Sequence, residues 1–434
     1  MSTMIPLNKT AKLVGSFDVV VCGGGVAGFA AAVSAARQGL RTAIIERFNS
    51  FGGTATIGNV MPISGFFFKE KRVVGGIGWE LVERLEAMGA AQVEMPKGHV
   101  SANIELIKLE MQRMLLECGV KLYLNSYVTD TVLEDGAVKY VIFESKSGTE
   151  ALEAKCFIDA TGDGDVCHLA GVPMQEKKEE LQPMSMCFLL DGVDLTTDLM
   201  KDCIHHNGLG GKPSENKVVR EYLLTRTDKL SQFGGPWFNT LLRGNAIAVN
   251  MTRSAGDSTD RESQTQAELK LREDIFTAVE LLREHFPEFK DAHVVSTPLL
   301  VGVRESRHID GEQMAVGSEM LSGTRYACEV AHCAHPMDIH SAKSSAQQLI
   351  RLEGAAYVPH GALVPKGSRN LLVAGRCLCA DQGAYATVRV QATLMSIGQA
   401  AGIMAAMHCR TGAPVCRLPE QELAEAFQAE KFVL

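Results

Sequence analysis

Phe17-Asp18-Val19-Val20-Val21-Cys22-Gly23-Gly24-Gly25-Val26-Ala27-Gly28 is the stretch from which the architecture follows. Its apolar first half predicts a buried parallel strand, and Val26 to Gln38 predicts an Ala-rich helix stopped by Gly39. Arg41 to Glu46 is then a second strand. The turn between strand and helix is a GxGxxG in which each glycine has a physical task. Gly23 permits the tight turn, Gly25 lets a pyrophosphate approach the backbone, and Gly28 lets the helix lie close to the sheet. Val26 and Ala27 open the helix, so their unpaired N–H groups and the positive end of the helix dipole face the phosphates. Glu46 closes the second strand, at the place of a ribose-hydroxyl acceptor. An acidic residue there repels a 2′-phosphate, which selects FAD or NAD over NADP.

Outward from this unit, 434 residues at 46% hydrophobic and 22% charged supply a large core, which excludes a disordered chain. Against 51 acidic side chains stand 43 basic ones, without a long basic run, so a nucleic-acid partner lacks its electrostatic footprint. Twelve cysteines form no CxxC pair, which speaks against zinc ribbons and ferredoxin-type clusters and for free thiols in a reducing compartment. The first residues carry no apolar core of signal-peptide length, so a cytoplasmic location is expected. Val19 to Ala36 and Val390 to Cys409 are free of charge over nearly a spanning length. Glycines break the first into strand and helix, and the Ala and Gly of the second suit a helix packed inside protein, so no membrane span is expected.

Phe51-Gly52-Gly53-Thr54-Ala55-Thr56 resembles the second-strand extension of FAD proteins, which implies FAD rather than NAD. With the apolar strand ending in Ala160-Thr161-Gly162-Asp163, the block Val301 to Glu312, His335 to His340, and the run from Leu363 through Gly375-Arg376 to Arg389 and Gly402, the chain resembles the FAD-dependent oxidoreductase family. That family is a branch of the glutathione-reductase-like flavoproteins, to which fumarate-reductase and succinate-dehydrogenase flavoproteins also belong. The resemblance implies an α/β, Rossmann-like FAD-binding domain with an inserted α+β substrate or cap domain. It implies FAD contacts from Glu46, Arg47, Gly52, Gly53, Thr54, Ala160, Gly162, Asp163, Gly375, Arg376 and Arg389, beside the glycine turn. The chain departs from the family at Gln382, where relatives carry a histidine, so catalytic roles do not transfer directly.

Other side chains are candidates on chemical grounds. The helix after Thr387 can point its N-terminus at the flavin, favouring negative charge on the reduced ring. Arg304 and Arg307 offer guanidinium forks for a carboxylate or phosphate; in an extended segment they diverge, so at most one reaches the ligand. His332, His335, Asp338 and His340 crowd together with Cys328 and Cys333, but their spacing matches no zinc pattern and no metal is expected. Arg304 and His340 are the candidate catalytic residues, histidine because it titrates near neutrality. Cys377 and Cys379 point to opposite faces if extended, which argues against a disulfide between them, and His205-His206 reads as a solvated turn.

The domain division is residues 16–190 and 351–434 for FAD and 191–350 for the cap. Within it, Asn103 to Glu117 reads as an amphipathic helix, Lys121–Leu124, Ala137–Glu144 and Leu152–Asp159 as strands, and Gln266 to His285 as a charged helix stopped before Pro287. The function that follows is hydride transfer between a small organic substrate and flavin N5, with FAD held non-covalently because no histidine lies from Gly52 to Gly65. The alternative is an FAD- or ADP-binding scaffold whose chemistry belongs to a partner subunit. No second GxGxxG marks an NAD(P)H domain, so electrons exchange with substrate, quinone, oxygen or a partner protein; a homo-oligomer stays open.

Overall fold

A computed structural model describes residues 5–95, 98–176, 180–205, 217–226, 228–230 and 232–434. Lys12–Cys22, Val26–Arg37 and Thr42–Ile45 form the opening strand, helix and strand, with Val19, Val20 and Val21 fully buried. Around them lies a parallel sheet in the order Lys121–Tyr123, Thr42–Ile45, Lys12–Cys22, Gly148–Asp159, Leu371–Val373. The order in which strands are added reverses between Lys12–Cys22 and Gly148–Asp159, which run parallel, and at such a switch point ligands bind beyond the carboxyl ends of the strands.

The Gly148–Asp159 strand has two partners on one edge. Its last residues, Phe157 to Asp159, pair in parallel with Leu371–Val373, while Gly148 to Glu153 pair antiparallel with Ala137–Ser145. That strand continues the meander to Tyr127–Glu134, which the sequence does not announce because nearly all of its side chains are exposed or half-exposed. The Ile104–Glu117 helix starts at Asn103, whose side-chain oxygen accepts the N–H of Leu106 at 3.2 Å.

The charge-free stretch near the C-terminal end is a helix, Gln391–Thr411, lying on Val26–Arg37. A Cβ at Gly398 would fall onto the Ala27 carbonyl, and one at Gly402 would sit 2.7 Å from the Ala31 carbonyl oxygen, so both glycines are required by contact. The helix does not continue from the preceding one: Gln382–Val388 ends, Val390 is extended, and the axes bend by 95°. Among the described residues no single helix is long and apolar enough to cross a membrane.

A second core, from Met184 to Val303, surrounds a five-stranded sheet in the order Ile204–His205, Phe233–Thr240, Ile247–Thr252, Phe188–Asp191, His293–Ser296. The Arg261–His285 helix buries Ala267, Leu271, Ile275, Ala278 and Leu282 in that core. It starts earlier than its apolar pattern indicates, because the Asp260 carboxylate caps it through the N–H of Ser263 at 2.7 Å. Cys328, Val330, Ala331, Cys333 and Met337, placed in the cap by the sequence division, pack in the first core. Of the His205-His206 turn, residues 206–216 lie outside the described residues.

Candidate active site

A cavity of about 630 Å³ runs from the glycine turn to the five-stranded sheet, within the size range of small-molecule sites. At one end Gly23, Gly25, Val26 and Ala27 form its wall. Gly23 has φ +102°, where only glycine is comfortable, and a Cβ at Gly28 would land on the Gly23 carbonyl oxygen. Gly25 differs: its backbone is ordinary, with φ −63°, and a Cβ there would meet nothing within 4 Å. The space it leaves is cavity. Gly53 stands against it, 3.0 Å from the Gly25 Cα to a built Cβ, and the Gly52 N–H donates to the Gly24 carbonyl at 2.8 Å.

Glu46 reaches the same wall from the end of its strand. It is buried, and its carboxylate accepts the N–H of Gly24 at 2.5 Å and of Phe48 at 2.9 Å. Burial pushes its carboxyl up, while those two bonds pull the other way. Arg47, Thr54, Ala160, Gly162, Gly375, Arg376 and Arg389 also line the cavity. Gly28, Gly52 and Asp163 stand behind the wall rather than in it. The Asp163 carboxylate is taken by Arg376 at 2.9 Å; burial pushes it up, but the Arg376 charge and the Ser306 hydroxyl outweigh this and hold it below its ordinary value. Asp165, on the wall, goes the other way: burial, then repulsion by Asp163 and Asp159, raises it to about 6 against its bond from Arg307 at 2.9 Å. An elongated cavity, bare backbone at Gly25 and a carboxylate at the strand end fit an adenine dinucleotide.

The other end is walled by the second sheet, by the Met337–His340 and Gln347–Ile350 hairpin, and by Val390 and Gln391 at the N-terminus of the long helix. Arg304 lines it and Arg307 does not: the segment is not helical, and Arg307 turns to Asp163 and Asp165. Arg304 donates through Nη1 to the Pro183 carbonyl at 2.7 Å and the Ser185 hydroxyl at 2.6 Å, and its own carbonyl accepts from Tyr385. Burial, then the Arg389 charge, lowers its guanidinium to about 9.

His340 is held at both ring nitrogens. Nδ1 accepts from Arg253 at 2.8 Å, which places the proton on Nε2, facing Asp338 at 2.7 Å. Burial, then the Arg304 charge, brings the imidazole down to about 3, so it is neutral and its one ring N–H is engaged by Asp338. Asp338 stays ionised: the His340 bond and the Arg389 charge overcome its burial. His332 instead pairs with Glu329 at 3.1 Å, and among the described residues no group of three or more His, Cys, Asp and Glu could hold a metal. Cys377 and Cys379 are free, one near the Asp159 carbonyl and the other receiving Gln175. Gln382 is exposed and outside the cavity.

Sequence reading missed the Ser64 hydroxyl and His99 Nδ1, 2.8 Å apart on the wall, and also Trp237, Asn239 and Asn250. Ser64 and His99 stand 35 positions apart with no motif between them.

The model of the family described as FAD dependent oxidoreductase matches residues 18–429. The chain belongs to that family. Its cofactor is FAD, and the protein is an oxidoreductase flavoprotein. The soluble pyridine nucleotide transhydrogenase of Chromohalobacter salexigens is 28% identical over 164 residues, which are 34% of this chain and 31% of that protein. The thiamine thiazole synthase of Pyrococcus horikoshii is 30% identical over 155 residues, 34% of this chain and 58% of that one. The chain thus spans less than two thirds of the length of these curated relatives. A geranylgeranyl bacteriochlorophyll reductase-like protein from Thermoplasma acidophilum shares the fold, with a TM-score of 0.50 at 13% identity, covering 96% of this chain and 84% of that one.

Proposed function

We propose that this family member transfers a hydride between a small organic substrate and FAD, the substrate lying at the end of the cavity walled by the second sheet. The observation that supports this reading is the continuity of one cavity from the glycine turn to Arg304, Trp237 and Asn250. Bound FAD supplies a hydride donor or acceptor at N5. The chain's own contribution is placement. Backbone at Gly25 and the first turn of its helix receives the pyrophosphate, and Glu46 turns its carboxylate to the ribose hydroxyls. The N-terminus at Val390 and Gln391 presents positive potential to the far half of the cavity, stabilising negative charge there. Trp237, Leu300, Val303 and Leu349 exclude water around the reacting carbon. His340, neutral and bonded at both nitrogens, orients Asp338 and Arg253 rather than moving a proton.

The test is anaerobic. The purified protein is given small hydroxy acids, amino acids, alcohols and enoates, before and after photoreduction of its flavin. Bleaching or reoxidation of the band near roughly 450 nm by one of these supports direct hydride exchange. A flavin that responds to dithionite and light but to none of the organic compounds refutes it.

A further inference from the structure

Two guanidinium groups, Arg304 and Arg389, line the substrate end of the cavity beside the Asp338 carboxylate, with Arg253 behind His340. Arg253 is 2% exposed and stands behind the wall: its Nη groups bind the His340 ring and the carbonyls of Ser344 and Ala346, and its buried Nε has no partner among the described residues. Arg389 donates to the Asp338 carbonyl at 2.9 Å and lies 3.4 Å from its carboxylate. Arg304, 9% exposed, has no acidic partner: Nη1 binds a carbonyl and a hydroxyl, and among the described residues Nε and Nη2 receive no hydrogen bond acceptor. Glu305, next in the chain, is directed elsewhere, toward the N–H of Gln182 and the ring of His308. With His340 neutral, this end of the cavity carries excess positive charge. Burying a charge without an ion pair is costly, and at Arg304 the repulsion from Arg389 exceeds the attraction of the Asp338 carboxylate, with Arg253 adding to the repulsion. An anion of the right size offsets both.

We infer that the substrate is a small organic carboxylate whose carboxyl group lies on the open edge of the Arg304 guanidinium, with Arg389 behind it. This rests on the reading that this end of the cavity takes the substrate. Arginine suits the role because its planar fork presents two parallel N–H groups to two carboxylate oxygens. The walls beside it, Trp237, Leu300 and Leu349, are apolar, and Asn239 and Asn250 are uncharged, so they accept the carbon skeleton and its hydroxyl or amino groups without a second charge requirement.

Calorimetric titration of the FAD-loaded full chain with glycolate, pyruvate and succinate, against glycolamide, pyruvamide and succinamide, tests this. Binding of at least one carboxylate and none of its amide is expected. Arg304→Met weakens that binding about 10- to 100-fold, as loss of a charged hydrogen bond does, with Arg304→Lys recovering part of it and FAD content unchanged in both. If Arg304→Met does not fold, Asn239→Asp, which sets a carboxylate into the same wall, is expected to lower carboxylate affinity and leave the amides unaffected. Equal binding of acids and amides, no binding of any carboxylate, or full carboxylate affinity in Arg304→Met or Asn239→Asp overturns the assignment. The two readings fail separately. Carboxylates that bind without bleaching the flavin leave the anion site and sink hydride exchange with them; neutral compounds that bleach it regardless of Arg304 do the reverse.

Discussion

Replacing Gly25 by valine separates cofactor binding from folding, because the three glycines of the turn fail for different reasons. At Gly23 a side chain meets positive φ and the Ala160 carbonyl, and at Gly28 it meets the Gly23 carbonyl, so both substitutions strike the fold itself. At Gly25 the backbone is ordinary and nothing stands within 4 Å of the new Cβ. The cost to the empty protein is that of an apolar residue at a helix N-cap, about 1 kcal/mol. The cost to the loaded one is larger. Forcing methyl groups into space a pyrophosphate needs costs about 1–3 kcal/mol, and one charge-assisted hydrogen bond lost from the helix N-terminus costs about 1.5–3 kcal/mol more. Together these weaken FAD binding about 10²- to 10⁴-fold, at about 1.4 kcal/mol per decade. The assay is titration of deflavinated Gly25→Val with FAD, followed by quenching of flavin fluorescence, beside a thermal melt of the empty protein. A variant that melts close to the empty wild type and binds FAD equally well refutes the placement of the pyrophosphate.

Asp165 predicts a pH signature. Its folded value of about 6 lies above its ordinary one, so its contribution to stability is fully present below about pH 4 and is lost as pH rises through 6. Asp165→Asn is therefore expected to flatten the melting temperature of the flavin-free protein over this interval; parallel curves for the two proteins count against it. Gly398→Ala drives a methyl onto the Ala27 carbonyl, which should lower stability by about 1–3 kcal/mol and, because Ala27 lies on the cavity wall beside the glycine turn, also lower FAD occupancy. Unchanged melting and occupancy would argue against close contact of these helices. Non-covalent attachment predicts that acid precipitation releases all flavin to the supernatant, and colour retained in the pellet would contradict it.

The end of the cavity at the glycine turn was legible because its determinants are local. Gly23, Gly25, Gly28 and Glu46 lie within one strand–helix–strand unit, where turn sterics and helix polarity act between chain neighbours. The end walled by the second sheet was only partly legible. Arg304 could be nominated by chemistry, but its lack of an acidic partner depends on where Asp338, Glu305 and Arg389 come to rest, which tertiary packing decides. His340 shows the converse. Its type and motif suggested proton handling, whereas the guanidinium of Arg253, 87 positions away, occupies the nitrogen that would take the proton. The break between Gln382–Val388 and Gln391–Thr411 was invisible for a similar reason. No proline or glycine lies at the joint, where Val390 is extended and Arg389 is anchored on Asp338.

The divided edge of the Gly148–Asp159 strand sets an order of events during synthesis. Its first half finds a neighbour at once, in the hairpin just made, but Phe157 to Asp159 wait for Leu371 to Val373, more than 200 residues later. Until then an apolar strand edge remains open in the emerging chain, while the entire second core is produced and can collapse on its own. The ribosome thus delivers the second core before the parallel sheet is closed. Expression trouble in variants of this protein should accordingly track damage to the stretch around Leu371 more than damage of equal size in the second core, because only the former prolongs the life of an unpaired edge.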